Sequence, residues 1–260
     1  MASNLSTIGF VFANEDEFRK TMIECAANAS ANLNCASGTY GIWQSRSGAE
    51  IWFHLGKTVD GEVEIFGLTP FFSGASDITL EITGPVHRAS DNDFEGAFHA
   101  WVTSGSGGEK LYPLVFDAID FAAHKDAGWP SFVQARLCGF ARELAAFPDE
   151  AAYYAARNGG DDPQLSSKAF IPIGLFASDQ PGDSEAGTGQ APASTALLTG
   201  RIVEYRQLKN EETGRPFAWM LVQTLDATID IVADPEIVTG VITDGGTIET
   251  TVLLFGRLTG

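Results

Sequence analysis

Residues 130–146, which read PSFVQARLCGFARELAA, decide the predicted fold class. Phe132 or Val133, Leu137, Phe140, Ala141 and Leu144 recur at helical spacing and would share one face. Pro130 suits the first turn of a helix, where its missing N–H is not needed. The spacing therefore predicts an amphipathic helix, and a second short helix is predicted over residues 149–157, ending at Asn158-Gly159-Gly160.

Upstream of this stretch the sequence predicts one more helix and a series of strands. Residues 7–12 form a short apolar run that predicts a strand, and Asn14 with Glu17 three positions later has the spacing of a capping box, which predicts a helix start. Further strands are expected at residues 40–44, 49–55, 63–68, 78–82, 96–102 and 111–116. The predicted class for residues 1–176 is α+β, with helices and a mixed, mostly antiparallel sheet.

Downstream, the composition changes twice. Residues 177–195 contain no aromatic residue, no Lys or Arg and no large aliphatic residue, which predicts a flexible linker. Residues 196–260 carry four to five short strand patterns with a helical turn after the third, which resembles a small β-barrel of the OB-fold kind. The sequence thus predicts two domains joined by a linker.

Charge and hydropathy exclude two classes of partner. The formal net charge is −18, from 34 acidic and 16 basic residues, and no segment has a basic excess that would neutralise phosphates. No apolar stretch is long enough to span a bilayer, and the N-terminus lacks a basic region followed by an apolar one. Nucleic acid and membrane are not expected as partners, and the expected location is cytoplasmic.

The four histidines are the natural starting point for a search for chemistry. Alternation places Glu50 and His54 on one face of a strand, and Glu95 and His99 on one face of another. If those faces meet, the four side chains provide the carboxylate and imidazole ligands of a metal or ligand site. The competing interpretation is that each ring, with a Trp two residues away, packs half-buried with one hydrogen bond.

Other constellations have a structural explanation. Cys25, Cys35 and Cys138 form no CxxC pair and are expected to be reduced thiols, and no nucleophile elbow, P-loop or dinucleotide motif is present. In the C-terminal module, a possible interaction surface is formed by Arg201, Arg206, Arg215 and Trp219, although the module's own carboxylates argue against nucleic acid there. No cofactor is expected.

Two resemblances extend this prediction. The order β-α-β-β-β over residues 7–72 is similar to one half of a glyoxalase-like metalloenzyme, although that family's spaced ligands cannot be placed on this chain. Over most of its length the chain resembles uncharacterised bacterial proteins that share a GAFHxW strand, an FIPxGLF segment and a TGRxF…DxVADPE tail, here at residues 96–101, 170–176, 213–217 and 230–236. The second resemblance implies a bacterial origin and this organisation, and no chemistry.

The leading hypothesis is a non-catalytic bacterial protein that binds or helps to assemble a protein partner. The alternative is a small-molecule or metal-dependent enzyme that uses His54, His99 and nearby carboxylates. A third possibility is an acidic surface that mimics nucleic acid and blocks a basic protein.

Overall fold

A computed structural model describes residues 3–157, 165–175 and 191–259. The strands are β1 (Ala31–Cys35), β2 (Gly38–Gln44), β3 (Ala49–Lys57), β4 (Val63–Phe72), β5 (Ile78–Val86), β6 (Ala97–Thr103), β7 (Lys110–Ala118), β8 (Ser131–Phe147), β9 (Ala169–Ile171), β10 (Thr195–Lys209), β11 (Pro216–Thr224), β12 (Ala227–Ala233), β13 (Val238–Thr239) and β14 (Thr247–Leu258). The α-helices are α1 (Glu15–Ala27), α2 (Phe121–His124) and α3 (Glu150–Arg157), and short 3-10 helices cover Ser6–Ile8, Ile173–Leu175 and Pro235–Ile237.

The fold is mostly β, so the predicted α+β class is wrong. Of the described residues, 51% are in strands and 14% in helices. The main error lies at residues 130–146, which belong to the 17-residue strand β8 and not to a helix. The stop signal at residues 158–160 and most of the predicted linker, residues 177–190, lie outside the described residues.

The periodicity of β8 explains this error. Leu137 and Ala141 face one hydrophobic cluster, whereas Cys138 and Phe140 face another, as alternation in a strand requires. The pairing with β14 has a bulge: Thr251 is opposite Glu143 and Val252 is opposite Ala141, which leaves an extra residue at position 142. The bulge moves Leu144 to the same face as Ala141, so the apolar positions imitate a helical period.

The pairings close two five-stranded rings that share β8 and β14. The first ring runs β5–β6–β7–β14–β8 and back to β5, with β7 and β14 parallel. The second runs β10–β11–β12–β8–β14 and back to β10, with β12 and β8 parallel. The second ring thus combines four strands of the predicted C-terminal module, residues 196–260, with β8 from outside it.

The two rings repeat one another. Each is an antiparallel meander of three strands whose first strand has a bulge, between Ile82 and Gly84 in one and between Ile202 and Glu204 in the other. In the first ring, β7 is the third strand and runs parallel to β14, which follows the meander of the second ring in sequence. In the second ring, β12 is the third strand and runs parallel to β8, which follows the meander of the first ring. Such exchange of long strands ties both halves of the chain into a single 10-stranded sheet within the described residues.

A second sheet, β1–β2–β3–β4, is an antiparallel meander with β4 at one edge. Its inner face packs on the outer face of the second ring, where the ring of Phe72 lies 5.9 Å from that of Phe217 and 6.1 Å from that of Trp219. The predicted strands at residues 40–44, 49–55 and 63–68 are confirmed here.

At the N-terminus one prediction is right and one is wrong. Asn14 Oδ1 accepts a hydrogen bond from Glu17 N at 2.9 Å, which confirms the predicted start of α1. Residues 7–12 form no strand; Ile8 and Phe10 are buried in the core, and Asn210 Nδ2 donates to the Ile8 carbonyl at 2.9 Å. No helix in the described residues is long and apolar enough to cross a bilayer.

Candidate functional site

His54 lies on β3 and is 1% exposed. Its ring stacks on that of Phe94 at 5.2 Å, and Tyr40 packs against it edge-on at 5.6 Å. Its Nε2 lies 3.2 Å from Thr69 Oγ1, and its Nδ1 lies 3.5 Å from Asn92 Nδ2. Burial lowers the pKa of His54 to about 4, so the imidazole is neutral at neutral pH and is packed as a core ring.

Glu95 meets His54, as the sequence predicted, but from a loop and not from a strand face. Glu95 Oε1 lies 3.9 Å from His54 Nδ1, and the Glu95 side chain is 37% exposed. Asn92 N donates to Glu95 Oε2 at 3.3 Å. Burial raises the pKa of Glu95, and the nearby Asp91 adds to this effect. The pair is a half-exposed carboxyl in front of a buried neutral ring.

Glu50 and His99 lie elsewhere. Glu50 is 2% exposed, accepts hydrogen bonds from Trp52 Nε1 at 2.8 Å and Gln44 Nε2 at 3.0 Å, and lies 3.6 Å from Arg257 Nη1. His99 lies on β6, opposite Val115 of β7 and Gly84 of β5, in the other sheet, and burial lowers its pKa. The four predicted side chains do not form one site.

The described residues offer no metal site from this set: they contain no group of three or more His, Cys, Asp or Glu side chains able to hold a metal ion. The two side chains that do meet, His54 and Glu95, are a single neutral nitrogen and a single carboxylate. They are fewer ligands than the three protein ligands of an ordinary catalytic zinc site.

A polar cleft of about 220 Å³ opens in front of Glu95. It is lined by Asn4, Leu68, Thr69, Pro70, Arg88, Asp91, Glu95, Gly96, Asp117, Ala118, Leu253 and Phe255. The Arg88 guanidinium is engaged within the protein: it donates to Asp117 Oδ1 at 2.7 Å, to the Pro192 carbonyl at 3.1 Å and to Ser194 Oγ at 3.0 Å. The other charged side chains that line the cleft, those of Asp91, Glu95 and Asp117, are acidic.

Asp117 has a counterpart in the repeated ring, and this gives it a structural role. Asp117 is opposite Phe255 in the parallel pair of the first ring, and Asp230 is opposite Cys138 in that of the second. Asp117 accepts from Ser194 Oγ at 2.6 Å, just before β10, and Asp230 accepts from Ser76 N at 2.8 Å, just before β5. Each aspartate thus fastens the first strand of one ring to the third strand of the other.

The predicted C-terminal surface is only partly exposed. Trp219 is 5% exposed and donates through Nε1 to Asp230 at 2.8 Å. Arg206 lies over the Trp219 ring at 5.5 Å and is also paired with Glu204. Arg201 and Arg215 are exposed, but they lie at different ends of the β10–β11 pair. The four residues therefore do not form a continuous binding face.

The clearest exposed apolar surface is the hairpin that joins β3 to β4. Val59 is 106% exposed, Val63 68%, Phe66 51% and Ile65 44%; these are four of the eleven large apolar side chains that are exposed in the described residues, and they fall within eight positions. We call the segment from Gly56 to Phe66 the β3–β4 hairpin. Scattered single apolar residues are normal on a surface, whereas a cluster marks an interaction site.

The hairpin extends past its own sheet. β2 pairs with β3 only as far as Leu55, so Gly56 and Lys57 pair with β4 alone, opposite Glu64 and Val63. Gly61, at φ 83°, closes the turn by donating to the Thr58 carbonyl at 2.9 Å. A Cβ on Gly56 would lie 2.6 Å from Cε2 of Phe66, so the Phe66 ring covers the glycine backbone. The result is a two-stranded ribbon with apolar side chains in solvent.

Sequence reasoning found the strand at residues 63–68 and the Asp60-Gly61 turn but missed the site. The signal that was present is the apolar set Val59, Val63, Ile65 and Phe66 among acidic residues. Whether such a set is covered depends on what packs against the two faces of the hairpin, which is a tertiary property. Comparison with models of protein families, with curated proteins and with solved structures gives no match for this chain.

Proposed function

We propose that this protein is a non-catalytic binding protein that holds a protein partner on the β3–β4 hairpin. The single observation that carries the proposal is the clustering of Val59, Val63, Ile65 and Phe66 in solvent on a hairpin whose tip extends beyond the end of β2. An isolated two-stranded ribbon with an apolar surface is at best marginally stable in water. A partner that covered it would remove this liability.

Burial of the exposed apolar side chains would supply part of the free energy of a specific complex. Fully burying a Val, Ile or Phe side chain contributes about 1.5–3 kcal/mol. Because Ile65 and Phe66 are already half covered, burial of all four side chains contributes roughly 4–8 kcal/mol before the cost of association is subtracted. Polar contacts around the hairpin would have to supply the remaining affinity and the specificity.

The alternative of a small-molecule or metal-dependent enzyme has less support. His54 is buried and neutral, His99 lies in the other sheet, and Glu95 is a single half-exposed carboxyl. We also propose a cytoplasmic location. Cys25, Cys35 and Cys138 are free thiols, as is usual in reducing compartments.

The test is affinity purification of the full chain from its native host with a matched pair of variants. Val63→Ser with Phe66→Ser removes two apolar side chains of the hairpin, and Val241→Ser with Ile23→Ser removes two that are 72% and 58% exposed elsewhere. We expect a stoichiometric partner with the wild type and with the control variant, and its loss with the hairpin variant. Retention of the partner by the hairpin variant, or a wild type that remains a monomer without a partner, would reject the proposal.

A further inference from the structure

β4 is an edge strand with a free backbone edge. Within the described residues it pairs with β3 on one side, and it is the last strand of its sheet. Pro70 within β4 is typical of such a position, because a proline cannot donate to a ladder. The seven residues from Val63 to Thr69 precede this proline; among the described residues their only backbone partners are in β3, so their outward N–H and C=O groups are open to an incoming strand.

The chain protects this edge weakly. Natural edge strands commonly carry an inward-pointing charge, a lysine or a covering loop that prevents pairing with another chain. Here the side chains of Val63 and Ile65 point to one face of the ribbon and are exposed. A bulge between His54 and Leu55 places Phe66 as the extra residue, but the strand continues on both sides of it. The edge is therefore suited to strand addition.

The charges along this edge are predominantly negative, although Lys57 lies in the hairpin and Arg88 lines the adjoining cleft. In the hairpin, one lysine, Lys57, stands against the carboxylates of Asp60, Glu62 and Glu64, all of them exposed. Further along β4, Thr69 and Pro70 line the cleft that also contains the carboxyls of Asp91 and Glu95. A Cβ on Gly67 would lie 3.2 Å from Asn92 Nδ2 and 3.0 Å from His54 Nδ1, so the loop that carries those acids packs on the face of the sheet beside β4.

Resting on the proposed function, we infer that the partner contributes an extended segment that adds to the free edge of β4 as a strand, with basic side chains alternating with apolar ones. The apolar residues meet Val63 and Ile65, and the basic residues meet Glu62, Glu64 and the acids of the cleft. A second copy of this chain is a poor occupant, because like charges directly opposite each other on paired strands are destabilising. The net charge of −18 adds long-range repulsion between copies.

The test uses the full chain and three synthetic heptapeptides, matched in length to residues 63–69. The first alternates Lys and Val, the second has Glu in place of Lys, and the third has Pro in place of the central Val. We expect the Lys/Val peptide to bind and the other two to bind at least tenfold more weakly. We also expect it to slow amide hydrogen exchange within residues 63–69, which a merely electrostatic association with the acidic chain would not do.

Charge reversal provides the matched control. Glu62→Lys with Glu64→Lys should weaken binding of the Lys/Val peptide about tenfold and strengthen that of the Glu/Val peptide, since two cross-strand attractions become repulsions. Glu109→Lys with Asp126→Lys makes the same change in net charge at exposed positions away from β4 and should leave the peptide preference as it is.

The outcomes separate this inference from the proposed function. Equal binding of the proline peptide, an unchanged preference after charge reversal at Glu62 and Glu64, or no binding of the Lys/Val peptide would each overturn the basic-strand inference. None of these results bears on whether the Val63→Ser, Phe66→Ser variant loses its partner. That purification result decides the proposed function by itself.

Discussion

Replacing Asp230 by alanine should destabilise the protein far more than the same change at its counterpart, Asp117. Asp230 is 0% exposed and accepts three hydrogen bonds, from Ala75 N at 3.0 Å, Ser76 N at 2.8 Å and Trp219 Nε1 at 2.8 Å. The chain encloses this carboxylate closely, since a Cβ on Gly74 would lie 2.2 Å from its Cγ. Water has little room to replace the lost acceptor.

The magnitude follows from the donors that the change leaves unpaired. Each buried donor without a partner costs about 1–3 kcal/mol, so we expect Asp230→Ala to lower the free energy of unfolding by roughly 3–5 kcal/mol after partial relaxation. Asp117 is 22% exposed, its donors are the side chains of Arg88 and Ser194, and both can turn to water in the cleft. Burial raises the pKa of Asp117 despite the nearby Arg88, which means that the charged carboxylate is disfavoured in the folded protein. Asp117→Ala should therefore lower the free energy of unfolding by only about 1–2 kcal/mol.

The assay is equilibrium urea unfolding at pH 7, with the slope of the transition checked against the wild type so that midpoints can be compared as stabilities. Asp230→Asn, which keeps one acceptor oxygen, should fall between Asp230→Ala and the wild type, and it preserves the comparison if the alanine variant does not fold. We assign Asp230 as a buried link between the rings and Asp117 as a solvent-accessible one. If Asp117→Ala lowers the free energy of unfolding as much as Asp230→Ala or more, this assignment is refuted.

Three more predictions follow from the fold. Leu225 has a φ of 27° in the two-residue turn between β11 and β12, so Leu225→Asn should stabilise the protein by about 0.5–1 kcal/mol in the same urea assay; a loss of stability would contradict the strain. The pKa of His54 falls from 6.5 to about 4 on folding, so its contribution to stability is present above pH 6.5 and is lost as the pH falls towards 4, by about 3 kcal/mol. His54→Gln should show a shallower loss over that range, and parallel curves would disprove the assignment. An isolated fragment of residues 191–260 lacks β8 and should show no cooperative thermal unfolding, whereas a sharp transition would mean that the second ring closes without it.

The local patterns that were predicted correctly are those decided by adjacent residues. The start of α1 follows from the side chains of Asn14 and Glu17, and the hairpins at residues 45–48 and 60–61 follow from their turn residues. The helix predicted at residues 149–157 is confirmed as α3, and Asp149 Oδ1 accepts a hydrogen bond from Ala152 N at 2.7 Å at its start.

The parts that could not be predicted depend on distant partners. β8 imitates a helix because one extra residue at Arg142 shifts the alternation, and this shift is set by pairing with β14, more than 100 residues away in sequence. Residues 7–12 are as apolar as a strand, but Asn210 and Thr213 accommodate them as a packed turn, through hydrogen bonds to the carbonyls of Ile8 and Gly9. Local propensity is overridden in both cases by tertiary contacts.

The candidate site shows the same division. His54 and Glu95 are brought together because the loop of residues 91–95 folds over β3, although the strand-face geometry that suggested the pair is wrong for Glu95. Val63 lies beyond the end of β2 and Phe66 is the extra residue of the bulge in β4, and no pattern within β4 indicates either fact or the exposure of the two side chains. The sequence alone therefore locates β4 but does not indicate that its side chains form an exposed apolar surface.

The most direct measurement of the central claim is amide hydrogen exchange of the full chain, with and without the partner that purifies with it. Binding at the hairpin predicts slower exchange in the peptides that cover residues 56–69, with little change over α1 or at residues 240–246. Slower exchange confined to other segments, with residues 56–69 exchanging as they do in the free protein, would contradict the claim that this hairpin holds the partner.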